Sequence, residues 1–351
     1  MSKTLQQLGL VPFFTQQLDD IDLLGERVGR VTSIQRSKST VMCDSEERQV
    51  DLSLPLCQST AIERPTVGDW IVLDESLSKI ELVLDRKSLF KRVGAGRNTE
   101  IQLIAANIDT LFIVTSCNEE FKESRLERYL TLCADAGATP VIVLTKTDIA
   151  DDVDTYIGRA RSVQAGIPVE SVNALDSATL GGVRAWINDV STIALVGTSG
   201  VGKSTLLNAL AGNALAATSE IREQDKKGRH TTNHRELFRL PSGGLLIDVP
   251  GMRELRVGEI DQSIGKVFED IEQLAMQCQF SDCKHENEPG CAVLQAIEEK
   301  TIDSRRLANY QKLLRENALA TTTLAEKRAK GRGLAKMIKE AKQMKQVKGT
   351  S

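Results

Sequence analysis

Short, β-prone runs crowd the first quarter of the chain. Val28-Gly-Arg-Val-Thr-Ser-Ile34, Ser39-Thr-Val-Met-Cys43, Arg48-Gln-Val-Asp-Leu52 and Asp69-Trp-Ile-Val-Leu73 are separated by turn residues. About five short strands in some 60 residues predict a small closed barrel, an OB-fold or an SH3-like barrel. Residues 1 to about 25 read as partly helical or loose. From about Asn107 the pattern changes. Strands are predicted at Thr110–Thr115, Thr139–Leu144, Ile167–Val172 and Thr192–Val196. Helices are predicted at Ser124–Ala136, near Leu180–Val190 and at Lys203–Ala211. In the first of these helices Leu126, Tyr129, Leu130 and Cys133 share one side. Glu236–Leu240 and Gly244–Asp248 flank Pro241-Ser-Gly-Gly244, a hairpin signal. Strand–helix alternation predicts a mainly parallel sheet with helices on both faces. After about Glu259 the chain reads as helix, a Cys/His knot, then helices. The fold class is multidomain α/β. The expected division is an extension over 1–26, a barrel over 27–97, a nucleotide domain over 98–258, a metal domain over 259–325 and a basic tail over 326–351.

Composition narrows the class. With 351 residues, 41% hydrophobic and 26% charged, the chain is an ordinary globular protein. No window approaches the roughly 20 apolar residues of a membrane helix. The first twenty residues lack a basic segment followed by a long apolar core, so a cytoplasmic location is expected. Seven cysteines then point to free thiols or a metal site rather than a disulfide framework. Net charge is −3, unevenly spread: residues 326–351 carry nine Lys or Arg against Glu326 and Glu340, a net of +7, leaving −10 on the rest. A basic tail on an acidic body points to a polyanionic partner.

The strongest chemical signal is Gly197-Thr-Ser-Gly-Val-Gly-Lys-Ser204, between a predicted strand and a predicted helix. Gly197, Thr198, Ser199, Gly200, Val201 and Gly202 would wrap phosphates with backbone N–H groups at a helix N-terminus. Lys203 would reach the β- and γ-phosphates and Ser204 would hold Mg²⁺. Thr145-Lys-Thr-Asp148 names the base. The Asp148 carboxylate can accept from guanine N1–H and its amino group, a donor pair adenine lacks. Lys146 would cover the ring, Thr147 is the variable position, and Thr145 replaces the commoner Asn. Asp248-Val-Pro-Gly251 supplies a third motif, with Asp248 toward Mg²⁺ and the Gly251 N–H toward the γ-phosphate. Thr231 or Thr232, in Lys226-Lys-Gly-Arg-His-Thr-Thr232, would complete the Mg²⁺ shell. Asn173-Ala174-Leu175 is a loose match to the Ser-Ala motif of GTPases. An ATP-dependent small-molecule kinase is opposed by the base motif and by the lack of an acceptor-site motif.

The base motif precedes the P-loop, whereas ordinary GTPases run the other way, so the domain reads as circularly permuted. Beyond it, Cys278, Cys283, His285 and Cys291 fall within fourteen residues, in the spacing C-x4-C-x-H-x5-C. Three thiolates and one imidazole suit one structural Zn²⁺ per chain. The remaining cysteines, Cys43, Cys57, Cys117 and Cys133, sit in apolar contexts and are expected in the core.

The barrel, the permuted motifs, Gly-Arg-His-Thr-Thr, Asp-x-Pro-Gly and the Cys/His spacing together closely resemble the bacterial ribosome-small-subunit-dependent GTPase A family, over nearly the whole chain. The resemblance implies an OB-fold, a permuted GTPase and a zinc domain, acting on GTP in late maturation of the 30S subunit and binding 16S rRNA. It also implies GTP contacts at Thr145–Asp148 and Gly197–Thr205 and zinc ligands at Cys278, Cys283, His285 and Cys291. A monomer is expected. Asn173 departs from the family pattern. A non-catalytic, GTP-gated RNA-binding module is the alternative, separated by turnover. Met252 stands where small GTPases place a water-orienting Gln, so His230, less so His234, is the candidate for that role.

Overall fold

The structure, a computed structural model, describes residues 3–19, 26–35, 38–44, 46–93, 101–212, 235–248 and 260–320. His230, Thr231, Thr232, His234, Gly251, Met252 and the basic tail lie outside the described residues.

The barrel closes. Strands β1 (Val28–Gln35), β2 (Lys38–Met42) and β3 (Glu47–Leu52) form an antiparallel meander. β3 pairs in parallel with β5 (Lys79–Val83), β5 pairs with β4 (Trp70–Leu73), and β4 returns to β1. That ring, 1-2-3-5-4-1, is the OB-fold order, which settles the choice the sequence left open. Val31, Val41, Cys43, Val50, Ile71, Leu73 and Ile80 fill it. The bulge between Val31 and Ser33 bends β1 out of the ring. Ser33 then pairs with Glu236, so barrel and nucleotide domain share one eleven-stranded sheet among the described residues.

In the second domain β8 (Thr110–Ser116), β9 (Thr139–Thr145), β10 (Val169–Ser171), β11 (Thr192–Val196) and β13 (Leu245–Asp248) run parallel, in spatial order β10-β9-β8-β11-β13. β12 (Glu236–Arg239) closes the edge antiparallel to β13. All seven residues of β8 are buried, as a central parallel strand covered on both faces requires. Between barrel and sheet, β6 (Leu89–Val93) pairs with β7 (Ile101–Ala106). The amino-terminal segment carries helices Lys3–Gln7 and Pro12–Thr15 and buries Leu5, Leu8, Leu10 and Phe14 in the main core.

Two local expectations change. The helix foreseen near Leu180–Val190 is a 3-10 turn at Ser177–Leu180 plus the short helix Gly181–Ala185. The Asn188 side chain accepts from the Val190 and Ser191 N–H groups and turns the chain into β11 instead. Cys57 is exposed on the Leu54–Gln58 helix, not in the core, because its apolar neighbours belong to a surface turn. Cys43 and Cys117 are buried, which pushes both thiols up to about 11, and burial pushes Cys133 up to about 12.

Helices Asp261–Val267, Glu269–Ala275, Ala292–Glu298 and residues 304–320 form the carboxy-terminal unit. It docks on the Glu123–Ala136 helix through Ile264, Val267, Phe268, Tyr310 and Leu313. Within that contact lies a buried ionic knot. Glu127, fully buried, accepts two hydrogen bonds from Arg305 at 3.1 Å each, one from Arg306 at 3.0 Å and one from Asn309 at 2.5 Å. Arg306 also holds Asp270 bidentately at 2.8 Å.

Candidate functional site

The carboxyl ends of β8, β9, β10, β11 and β13 meet at one edge of the sheet, where open α/β folds bind ligands. The P-loop leaves β11 there. Gly197 has φ 153°, and a Cβ on it would lie 2.2 Å from the Val114 carbonyl oxygen, so only glycine lets the loop pass so close to β8. Gly202, at φ 90°, caps the Lys203–Ala211 helix. Ser199, Gly200, Ser204 and Thr205 are exposed, which leaves the helix N-terminus open to an anion. The Lys203 ammonium lies across the loop, donating to the carbonyls of Gly197 at 2.9 Å and Thr198 at 2.5 Å.

The base loop follows β9. Lys146 adopts a left-handed conformation at φ 58°, which turns the chain into a 3-10 turn at Thr147–Ile149 and leaves Asp148 exposed. The Thr145 hydroxyl is buried and faces the P-loop: it lies 2.5 Å from the Val201 carbonyl and 3.2 Å from that of Thr115. That contact bolts the base loop directly to the P-loop, a positioning role that the sequence reading did not give it. The third loop is alongside, because the Val172 N–H donates to Leu144 O at 2.8 Å. There the Asn173 side chain accepts from the Leu175 N–H at 3.0 Å and shapes its own turn. Asp248 ends β13, half-buried, next to the P-loop strand.

One pair was not foreseen. Arg125, at the start of the Glu123–Ala136 helix, donates to Glu120 at 2.8 Å and lies 3.5 Å from the Thr198 hydroxyl. The Arg125 guanidinium holds the Glu120 carboxyl below its usual range. The two residues are five apart in a polar stretch, which carries no local signal of contact with the P-loop.

The second site is the Cys/His cluster. The ligand atoms of Cys278, Cys283, His285 and Cys291 all lie within 4.8 Å of one another. Cys278 Sγ lies 3.8 Å from Cys291 Sγ and 3.6 Å from His285 Nδ1, which lies 3.3 Å from Cys291 Sγ. A tetrahedron with metal–sulfur bonds of about 2.3 Å has edges of roughly 3.8 Å, so the donors fit one tetrahedral ion. Around it Glu288 accepts from the N–H groups of Lys284, Glu286 and Asn287 at 2.8, 2.8 and 3.0 Å. These three donors pull its carboxyl down to about 2. Gln311 donates to the His285 carbonyl at 3.3 Å, tying the cluster to the last helix.

A phosphate loop after β11, a base loop after β9 with β8 between them but earlier in the chain, and a closed OB barrel define a circularly permuted P-loop GTPase. Comparison with known proteins agrees. Residues 83–258 match the family model of the RsgA GTPase. The "Small ribosomal subunit biogenesis GTPase RsgA 2" of Vibrio parahaemolyticus is 46% identical over 338 residues, 96% of this chain and 92% of that protein. The "Small ribosomal subunit biogenesis GTPase RsgA" of Mesorhizobium japonicum is 43% identical over 322 residues, 90% of each. The crystal structure of YjeQ from Thermotoga maritima superposes with a TM-score of 0.63 at 25% identity, covering 83% of this chain and 98% of that one. YloQ, described as a circularly permuted GTPase, shares the fold with a TM-score of 0.56 at 23% identity. The chain belongs to the RsgA GTPase family.

Proposed function

We infer that this GTPase is a switch acting in late maturation of the 30S ribosomal subunit, with hydrolysis stimulated by that subunit. The observation that carries the reading is the Thr145–Val201 contact, which ties the Thr145–Asp148 loop to the P-loop at one sheet edge; the names of the relatives supply the ribosomal context.

In this reading Asp148 accepts from guanine, Lys146 covers its face, and Gly197–Thr205 cradle the phosphates. Lys203 swings from the carbonyls it now holds onto the β- and γ-phosphates, where it offsets charge that grows in the transition state. Ser204, Thr231 and Asp248 hold Mg²⁺, and Thr232 and Gly251 belong to the segments that sense the γ-phosphate. When bound there, Mg²⁺ would supply neutralisation of the phosphate charge. Asn173 shapes the third loop. Met252 cannot orient water, so unstimulated turnover is slow, and His230 is the group assigned to position it. The Cys278, Cys283, His285 and Cys291 cluster holds one structural Zn²⁺, which contributes local folding energy. The partner surface is 16S rRNA, with the basic tail on its phosphates; the protein acts as a cytoplasmic monomer.

The test is phosphate release with and without purified 30S subunits. Stimulated release that is lost in Lys203→Ala, and weakened GTP binding in Asp148→Asn, are expected. Equal release with and without subunits would remove the ribosomal part of the reading. Elemental analysis should find one zinc per chain, and Cys283→Ala should remove it.

A further inference from the structure

Hydrolysis of GTP builds negative charge at the phosphate end of the site, and the cations held there decide how well it is offset. Lys203 is one cation at that end. Arg125 is another. It stands in the first turn of the Glu123–Ala136 helix, which follows β8, the strand between those that lead into the P-loop and the base loop.

The guanidinium is held by one nitrogen only. Nη1 donates to the Glu120 carboxylate at 2.8 Å, and lies 3.4 Å from the Glu120 carbonyl and 3.5 Å from the Thr198 hydroxyl. Thr198 also supplies the carbonyl that accepts from the Lys203 ammonium at 2.5 Å. A single P-loop residue therefore touches both cations, which puts the guanidinium within about 10 Å of the ammonium even with the two Thr198 oxygens at their widest separation. Nε and Nη2 carry the other three N–H donors. They have no hydrogen-bond partner among the described residues, and the side chain is 37% exposed.

That free edge is the one that grips oxyanions elsewhere in this chain. Arg86 holds Asp69 through Nε and Nη2 at 2.7 and 2.8 Å, and Arg306 holds Asp270 through the same two nitrogens at 2.8 Å each. In Arg125 the same fork is open beside the P-loop. Its ion pair does not fix it in place. The Glu120 side chain is 47% exposed, so water screens the attraction and little is lost when the pair opens.

We propose that Arg125 is a catalytic arginine that the chain supplies to itself. With GTP bound, its Nε–Nη2 fork takes two oxygens of the γ-phosphate and offsets the charge that grows there as the phosphoryl group transfers to water. The water oxygen bonds to the γ-phosphorus. The bond from that phosphorus to the bridging oxygen breaks, its electron pair leaves with GDP, and the proton of the water passes to the released phosphate. Arg125 gives hydrogen bonds and charge and moves no proton. This assignment rests on the P-loop holding the GTP phosphates.

The test is single-turnover hydrolysis of GTP with full-length protein in excess, with and without 30S subunits. Beside it, fluorescent GDP is titrated with and without aluminium fluoride, which together with GDP stands in for the transferring phosphoryl group. Arg125→Ala should slow hydrolysis about 10²- to 10³-fold, as the loss of one preorganised donor does. It should leave GDP affinity within about twofold of wild type and lose most of the affinity gained with aluminium fluoride. Arg125→Lys, charged but without a fork, should fall between the two. Glu120→Gln keeps the guanidinium and should hydrolyse GTP at least as fast as wild type. Hydrolysis by Arg125→Ala within about twofold of wild type would overturn the proposal. So would equal losses of GDP affinity and hydrolysis in Arg125→Ala and Glu120→Gln, the pattern of a brace on Thr198 and nothing more. Lys203→Ala separates the two levels. Unchanged nucleotide affinity and hydrolysis in that variant would remove the phosphate loop itself, whereas a damaged Lys203→Ala beside a normal Arg125→Ala would remove only the arginine.

Discussion

The knot around Glu127 can be broken by one substitution with a calculable cost. Glu127→Ala removes the acceptor of four hydrogen bonds from Arg305, Arg306 and Asn309. The Arg306 side chain is 9% exposed, and its five N–H groups are fully used by Glu127, Asp270, Val163 O and Val267 O. Removing one member of a buried charge cluster costs about 3–5 kcal/mol, because the remaining charge stays buried. Asp270 still pairs with Arg306, so the lower end, about 3 kcal/mol, applies here. The exposed pair Arg27–Glu81, at 2.8 Å, is the control, and its loss should cost under about 1 kcal/mol. The chain has several units, so one global unfolding energy is not the right observable. Native-state hydrogen exchange resolves them. In Glu127→Ala the helix over residues 304–320 should lose protection by about 3 kcal/mol, while β8 and β9 hold theirs. A thermal transition of the docked unit should fall by roughly 12–24 °C, at about 4–8 °C per kcal/mol for a unit of this size. Protection of that helix unchanged within about 0.5 kcal/mol, the ordinary scatter of surface substitutions, would refute the reasoning.

Three further outcomes follow from single contacts. Thr145→Val keeps the volume but leaves the Val201 carbonyl unpaired, which should weaken GTP binding about five- to thirtyfold, for a loss of about 1–2 kcal/mol, with Thr145→Ser near wild type; equal affinity in all three proteins would count against the bolt between the loops. Gly197→Ala should abolish nucleotide binding, because its Cβ meets backbone at 2.2 Å, whereas Gly200→Ala, with open space around it at φ 81°, should cost about 1 kcal/mol; both are read by fluorescent nucleotide titration. The Glu288 carboxyl has a folded value of about 2, below its ordinary value, so it stabilises its loop above the ordinary carboxylate range and that stability is lost as pH falls through about 2; a carboxyl NMR titration should find the low value, and Glu288→Gln should lower metal affinity in a chelator competition.

The parts that could be read from sequence were those in which chemistry confines the backbone. The P-loop needs glycines where Gly197 passes Val114, and the metal cluster needs four donors within fourteen residues, so both announce themselves locally. The strands of the parallel sheet were visible as apolar runs. The fifth barrel strand, Lys79–Val83, was less so, because its exposed Lys79, Glu81 and Leu82 dilute the alternation. Glu127 was hidden for a different reason. It lies beside the apolar face marked by Leu126, Leu130 and Cys133, where a carboxylate ordinarily meets water; only the arrival of Arg305 and Arg306, nearly 180 residues later, explains its burial. The same holds for Thr145, whose hydroxyl finds its partner 56 residues on. Local pattern reports local constraint, and these contacts are long-range.

The permutation gives these long-range contacts their meaning. The Glu123–Ala136 helix precedes the P-loop in the chain, yet it touches the loop at one point and the carboxy-terminal unit at another. Arg125 reaches Thr198 near its start, and two residues later Glu127 holds Arg305 and Arg306. In an unpermuted order this helix would follow the P-loop, and the domain would end on the base-motif side. Here the domain instead ends at β13, whose Asp248 stands beside the phosphate loop, and the next described residue is Ile260 at the start of the docked unit. The carboxy-terminal unit is therefore attached twice, covalently downstream of Asp248 and through side chains at Glu127. Through side chains alone, the Glu123–Ala136 helix thus joins the carboxy-terminal unit, held at Glu127, to the P-loop, reached by Arg125.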